Sequence, residues 1–137
     1  QTLDLENNIE KYAELKKIYA EKTGALITAA CLLGYFAAVD KPLKKDIDNI
    51  KLYAASIGLA FQIHDDILDV KSTTEVLGKE VGSDEKNNKK TSLAFLSLEE
   101  AEEEETLLTL LSVEAISAYS GSDILCRLAV WLLSRKK

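Results

Sequence analysis

The chain has 137 residues, of which 47% are hydrophobic and 29% charged, and this balance suits one folded domain with a hydrophobic core. Its 23 acidic and 17 basic residues leave a formal net charge of -6, which excludes nucleic acid as a main partner because phosphate contacts need a basic surface. Two cysteines are too few for a disulfide scaffold and fit a reducing compartment, so we expect a cytoplasmic protein.

The chain begins at Gln1 and contains no methionine. We therefore expect a piece of a longer protein. No secretory signal opens the sequence, and the most apolar stretch, residues 24–39, is shorter than the roughly 20 residues that a membrane span needs. This stretch is predicted to be a buried helix, and no membrane span is expected.

The first half of the chain reads as helix. Apolar residues recur at three- and four-residue steps over residues 9–22, which predicts an amphipathic helix, and the apolar helix ending at Val39 follows it. Pro42 suits the first turn of the next helix. That helix is predicted to run from Lys44 to about Val70.

The second half begins with polar residues, glycines and lysines over 71–90, which predict a long loop. Ser97 and Glu100 form a capping box at the start of another helix, and Ser122 or Asp123 caps a final one. The acidic run over 99–105 favours a solvated helix start over a binding patch, because negative charge suits a helix N-terminus. No strand pattern occurs, so the predicted fold class is all-α.

Polar residues form one stripe on the long central helix. Gln62, Asp65, Asp66 and Asp69 fall within about 100° of arc at 100° per residue, and Ala55 and Gly58 precede them on the same face. The other directions are apolar, which is typical of a buried helix. A solvent-facing acidic stripe is the alternative, but it does not explain the apolar residues around the carboxylates.

The spacing of the carboxylates predicts a cation. Asp65 and Asp69 lie one turn apart and can converge on one ion, and oxygen ligands favour Mg²⁺ over zinc or copper. The small residues Ala55 and Gly58 are expected to leave room for an apolar ligand tail. His64 points away from the stripe and is expected to be a packing or interface residue.

Three further positions, Lys22, Cys31 and Cys126, carry a charged group or a thiol. Lys22 lies at the joint between two helical patterns, before Thr23 and Gly24, where it could meet a phosphate together with the Thr23 hydroxyl and locally freed carbonyls. An exposed lysine before an ordinary helix explains the triplet equally well. Cys31 and Cys126 lie in apolar helical runs and are expected to be buried, inert thiols.

Several motifs in order resemble the trans-prenyl diphosphate synthases, most closely the bacterial farnesyl diphosphate synthases. They are residues 1–5 (QTLDL), 22–26 (KTGAL), 57–69 (IGLAFQIHDDILD), 77–79 (LGK), Gly82 with Asp84, Lys89, and 98–101 (LEEA). The resemblance covers essentially the whole chain. It departs at residues 89–93 (KKTSL), where the family usually has a Thr-Tyr-Pro pattern, and at the short connection 6–8.

The resemblance implies an all-α isoprenoid synthase fold and a Mg²⁺-dependent 1'-4 condensation of isopentenyl diphosphate with an allylic diphosphate, with Mn²⁺ as an alternative metal. It implies that Asp65, Asp66 and Asp69 are the metal-binding second aspartate-rich motif. It implies that Lys22, Lys79 and Lys89 bind diphosphate, and that Thr23 and Gln62 face the developing allylic cation. A homodimer is also implied.

The family's first aspartate-rich motif has no counterpart in this sequence. We therefore expect residues 1–137 to be the C-terminal portion of a synthase domain, inactive in condensation by itself. Two other functions stay open. A terpene cyclase shares the helical fold, and a non-catalytic subunit or degenerate homologue would pair with a synthase; a plain helical interaction domain is the least specific alternative.

Overall fold

A computed structural model describes residues 9–77 and 90–135, with side chains described for 9–72 and 90–135. Throughout these ranges the regular structure is helical, which confirms the all-α prediction. The elements are α1 (Tyr12–Tyr19), a π-helical segment (Ala20–Gly24), α2 (Ala25–Ala38), α3 (Lys44–Leu77), a 3₁₀ turn (Ser92–Ala94), α4 (Leu98–Ile116) and α5 (Asp123–Leu133).

The long helix α3 is the centre of the fold and contributes to two hydrophobic clusters. Its first half supplies Tyr53, Ala54 and Ile57, which pack with Ile116 of α4 and Ala129 of α5. Its second half supplies a smaller cluster, made of Ile63, Ile67 and the α4 residue Ala101. Because both clusters share α3, the polar stripe of this helix has a fixed direction relative to α4 and α5.

The predicted capping box at the start of α4 is confirmed. Ser97 Oγ accepts a hydrogen bond from the Glu100 backbone N–H at 3.2 Å, and Glu100 Oε2 accepts one from the Ser97 N–H at 2.8 Å. These bonds lower the pKa of the Glu100 carboxyl. At α5, Ser122 is the N-cap residue, but its side chain makes no capping hydrogen bond.

The predicted start of α3 at Lys44 is confirmed, but the predicted place of Pro42 and the predicted end of this helix are wrong. Pro42 does not lie in the first turn, because α3 begins at Lys44 and the Leu43 carbonyl accepts the first helical hydrogen bonds. The loop predicted from residue 71 is helical as far as Leu77. The composition of this segment favours a loop, but Lys71 Nζ binds Glu102 Oε1 of α4 at 2.6 Å. This contact between α3 and α4 favours continuation of the helix beyond Val70. Residues 78–89 lie outside the described part of the chain.

The helix α2 is not buried as predicted. It has no buried residue, and its side chains Leu26 and Leu33 are 74% and 70% exposed. One face, with Ile27 and Cys31, packs against the first cluster, while the rest of this apolar helix has no covering element within the described residues. In the ranges that the structure covers, no helix combines the length and apolar character needed to cross a membrane.

The acidic run on α4 is only partly solvated. Glu99, Glu100 and Glu103 are exposed as expected, but Glu104 accepts a hydrogen bond from the Tyr12 hydroxyl at 2.7 Å and Glu105 is 6% exposed. The prediction is wrong for these last two because they lie on the side of α4 that faces α1 and α3. Cys31 and Cys126 are free thiols and are half-buried rather than fully buried.

Candidate active site

The joint between α1 and α2 crosses α3 at two glycines. A Cβ atom built on Gly58 would lie 2.9 Å from Gly24 Cα and 3.4 Å from Gly24 N. The missing side chain of Gly58 therefore makes room for the backbone of Gly24, not for a ligand tail as predicted. This close approach holds residues 22–24 against the helix that carries Gln62 and the aspartates.

The joint itself is a π-helical segment. The Ala25 N–H donates to the Ala20 carbonyl, five residues back, in place of the usual four. Short π-helical insertions shift the hydrogen-bond register and are frequent at functional sites. Lys22 is exposed in this segment and Thr23 is half-buried, so both polar side chains reach the surface beside the crossing.

Asp65 forms an ion pair with Arg135, the residue that follows α5 by two positions. Arg135 Nη2 donates to Asp65 Oδ1 at 2.7 Å, and the side chains are 24% and 42% exposed. The Arg135 guanidinium carbon also lies 4.2 Å from the centroid of the Phe61 ring, a cation–π distance. Asp69, one turn later, is exposed, and Gln62, almost one turn earlier, is half-buried.

Asp66 has a different environment from Asp65. Its Oδ2 accepts hydrogen bonds from the Tyr19 hydroxyl at 2.6 Å and from the N–H and hydroxyl of Ser92, both at 2.8 Å. Burial, reinforced by the bond to Asp66, raises the pKa of Tyr19 far above its usual value. This carboxylate oxygen thus ties α1 and the 3₁₀ turn to α3.

Asp65 and Asp69 are better suited to a partly hydrated Mg²⁺ ion than to a metal ion whose ligands all come from the protein. Across residues 9–72 and 90–135, no three His, Cys, Asp or Glu side chains are grouped so that they could hold a metal ion. Mg²⁺ commonly uses one or two carboxylates and completes its octahedron with water and substrate phosphate oxygens. Asp65 is 42% exposed and Asp69 is exposed, so both carboxylates are accessible to an ion of this kind.

The remaining predicted residues divide into two groups. Lys22 and Thr23 belong to the π-helical segment that crosses α3 at Gly58, and Gln62, Asp65 and Asp69 follow further along α3. Lys79 and Lys89 lie outside the described residues. His64 is buried, as expected of a packing residue, and it contacts Glu105.

Sequence reasoning missed Tyr19, Ser92, Glu105 and Arg135. Helical periodicity predicts that Tyr19 lies on a buried face, and the KKTSL segment that contains Ser92 departs from the family pattern. Neither observation indicates that these residues bind Asp66. Arg135 is 70 residues from Asp65, and no periodic pattern connects positions so far apart.

The chain is similar in sequence to several known proteins. The sequence profile described as polyprenyl synthetase matches residues 1–120. The chain is 46% identical over 99 residues to a farnesyl diphosphate synthase of Escherichia coli, covering 72% of this chain and 33% of that one. It is 41% identical over 122 residues to a geranylgeranyl diphosphate synthase of Cyanophora paradoxa, covering 88% of this chain and 40% of that one.

A solved structure is also similar. A crystal structure from Marinomonas sp. MED121, provisionally assigned as a farnesyl-diphosphate synthase, superposes with a TM-score of 0.78 at 30% identity. The match covers 96% of this chain and 44% of the other, and the chain therefore spans less than half the length of each of these relatives. From the profile match and the shared helical fold, the chain belongs to the polyprenyl synthetase family.

Proposed function

We propose that the protein carrying this chain is a short-chain prenyl diphosphate synthase. It joins isopentenyl diphosphate to an allylic diphosphate in a Mg²⁺-dependent 1'-4 condensation, with a farnesyl diphosphate as the expected product. The observation that carries this proposal is the Gly24–Gly58 crossing, which holds the Lys22 segment against the helix of Asp65 and Asp69. The names of the relatives from E. coli and C. paradoxa support the substrate class.

The aspartates and Lys22 are proposed to bind the diphosphate end of the allylic substrate. Asp65 and Asp69 would hold the metal, and Mg²⁺ or Mn²⁺, when bound, neutralises charge on the leaving diphosphate. Lys22, with Lys79 and Lys89, would add positive charge on the same group. Fixed cations placed where negative charge develops lower the barrier to ionisation.

Thr23 and Gln62 are proposed to stabilise the opposite charge. Their side-chain oxygens would face the carbocation left on the prenyl group, and their half-buried positions limit access of water to it. Asp66 is proposed to join the metal site through its carboxylate while its Oδ2 bonds to Tyr19 and Ser92 hold α3 in place.

Residues 1–137 are proposed to be the C-terminal portion of the synthase domain, and the protein is proposed to act as a cytoplasmic homodimer. The fraction of the relatives that the chain spans supports the first point. By itself the chain should not condense the two diphosphates, because it carries one aspartate-rich motif. Elongation of radiolabelled isopentenyl diphosphate by residues 1–137 alone would overturn this expectation.

The proposed chemistry is tested in the full-length protein with Asp65→Asn. We expect kcat/KM to fall by about 100-fold, because one charged metal ligand is replaced by a neutral one. Asp48→Asn, at an exposed position of the same helix, is the matched control and should retain activity. A variant Asp65→Asn with unchanged rate would contradict the assignment, and cyclic hydrocarbon products would instead indicate a terpene cyclase.

A further inference from the structure

A buried acid–base pair lies directly behind the aspartate stripe. His64 of α3 and Glu105 of α4 are each 6% exposed, and His64 Nδ1 lies 2.5 Å from Glu105 Oε1. Burial raises the pKa of the Glu105 carboxyl. Ionisable groups are costly in such a place unless they are well hydrogen-bonded, so simple packing does not account for this choice of residues.

The second ring nitrogen of His64 contacts the backbone of Arg135. His64 Nε2 lies 3.3 Å from the backbone carbonyl oxygen of Arg135. A carbonyl only accepts hydrogen bonds, so Nε2 must carry a proton for this contact to be favourable. Glu105 orients the ring, because its Oε1 lies within hydrogen-bond distance of Nδ1 on the opposite side from this carbonyl.

The residue held by this carbonyl contact is the one that binds Asp65. The Arg135 side chain is anchored at three points: the Phe61 ring, the Leu132 carbonyl at 3.1 Å from Nε, and Asp65 Oδ1 at 2.7 Å from Nη2. The histidine thus fixes the backbone of Arg135 while the guanidinium reaches round to the neighbouring aspartate.

We propose that His64 and Glu105 are positioning residues that hold Arg135 on Asp65, so that the guanidinium occupies this carboxylate until a metal ion replaces it. The proposal rests on the proposed function, which takes Asp65 as a metal-binding carboxylate. A cavity of about 990 Å³ beside the pair, lined by His64, Glu105 and Arg135 among others, provides space into which the Arg135 side chain can move.

The first test needs no metal ion, and it uses a variant only to assign the His64 signals. Long-range ¹H–¹⁵N NMR of the full-length protein, with the His64 signals assigned from His64→Gln, reports which ring nitrogens carry protons. We expect a protonated Nε2. A His64 ring whose Nε2 lacks a proton at neutral pH would overturn the proposal, because the Arg135 carbonyl would then have no donor.

The second test follows the side chain of Arg135. In Glu105→Leu we expect hydrogen exchange of the Arg135 Nη–H groups, which include the donor to Asp65, to be about fivefold faster, because loss of a partly exposed ion pair corresponds to a factor of about this size. Glu105→Gln should restore slow exchange, because its amide can donate to Nδ1 and leave the proton on Nε2. Glu103→Leu, an exposed glutamate on the same helix, is the matched control. Unchanged exchange in Glu105→Leu would contradict the proposed role.

The third test separates positioning from stability. Arg135→Ala and Glu105→Leu should each tighten Mn²⁺ binding, by about fivefold for Arg135→Ala, since Asp65 no longer has to leave a competing cation. If Glu105 acts through Arg135, Glu105→Leu should have no effect once Arg135 is alanine. Independent, additive effects would refute the proposal. Absence of Mn²⁺ binding in every variant would refute the proposed function instead, while the NMR tests would still decide the positioning role.

Discussion

The glycine crossing gives the sharpest prediction. Gly58→Ala places a Cβ atom 2.9 Å from Gly24 Cα, whereas carbon atoms are normally separated by about 3.5–4.0 Å. The obstacle is backbone and cannot rotate away, so the π-helical segment and α3 must separate by roughly 0.6–1 Å. Overpacking of this kind costs about 1–3 kcal/mol, against a gain of about 0.5–1 kcal/mol from replacing a helical glycine.

The net expectation for Gly58→Ala is a loss of about 1–2 kcal/mol, measured as the urea midpoint of the full-length protein. The same separation moves Lys22 away from the aspartates, so kcat/KM should fall by more than the stability change accounts for. Gly34→Ala is the matched control, because a Cβ there meets nothing within 4 Å, and it should be neutral or stabilising. If the two variants are equally stable and equally active, the reasoning about the crossing is wrong.

Three other predictions concern single side chains. Ser97→Ala removes the cap of α4 and should lower the free energy of unfolding by about 1 kcal/mol, measured in urea. Ser117→Ala, at an exposed position, is its control. Equal urea midpoints for the two variants would contradict the capping role. Tyr19→Phe removes one of the hydrogen bonds to Asp66 and should cost about 1–2 kcal/mol in the same assay, and an unchanged midpoint would show that this bond adds no net stability. Burial raises the pKa of Tyr53 to about 12, so its contribution to stability is present below pH 10, the pKa of tyrosine in the unfolded chain, and is lost as the pH rises towards 12. Tyrosinate absorbance, compared with that of Tyr53→Phe, should show this late titration. Ionisation of Tyr53 near pH 10 would contradict it.

The sequence by itself determined those features that depend on neighbours along the chain. Helical periodicity is a local property, so the all-α class and the capping box at Ser97 were predicted correctly. The order of the KTGAL and DDILD motifs was sufficient to indicate the family. The same local reasoning failed at residues 71–77, whose composition predicts a loop but which form the last turns of α3. Lys71 in this segment contacts Glu102 of α4, which lies far away in the sequence.

Only the tertiary structure decided which partner each polar side chain meets. Periodicity assigned Asp65 and Asp66 to one stripe, yet one binds Arg135 and the other binds Tyr19 and Ser92. Glu105 belongs by sequence to an acidic run and by structure to the interior. A helical pattern defines the direction of a side chain around its own axis, but the energy of a charge depends on what lies opposite, and that is fixed by packing between residues far apart in the chain.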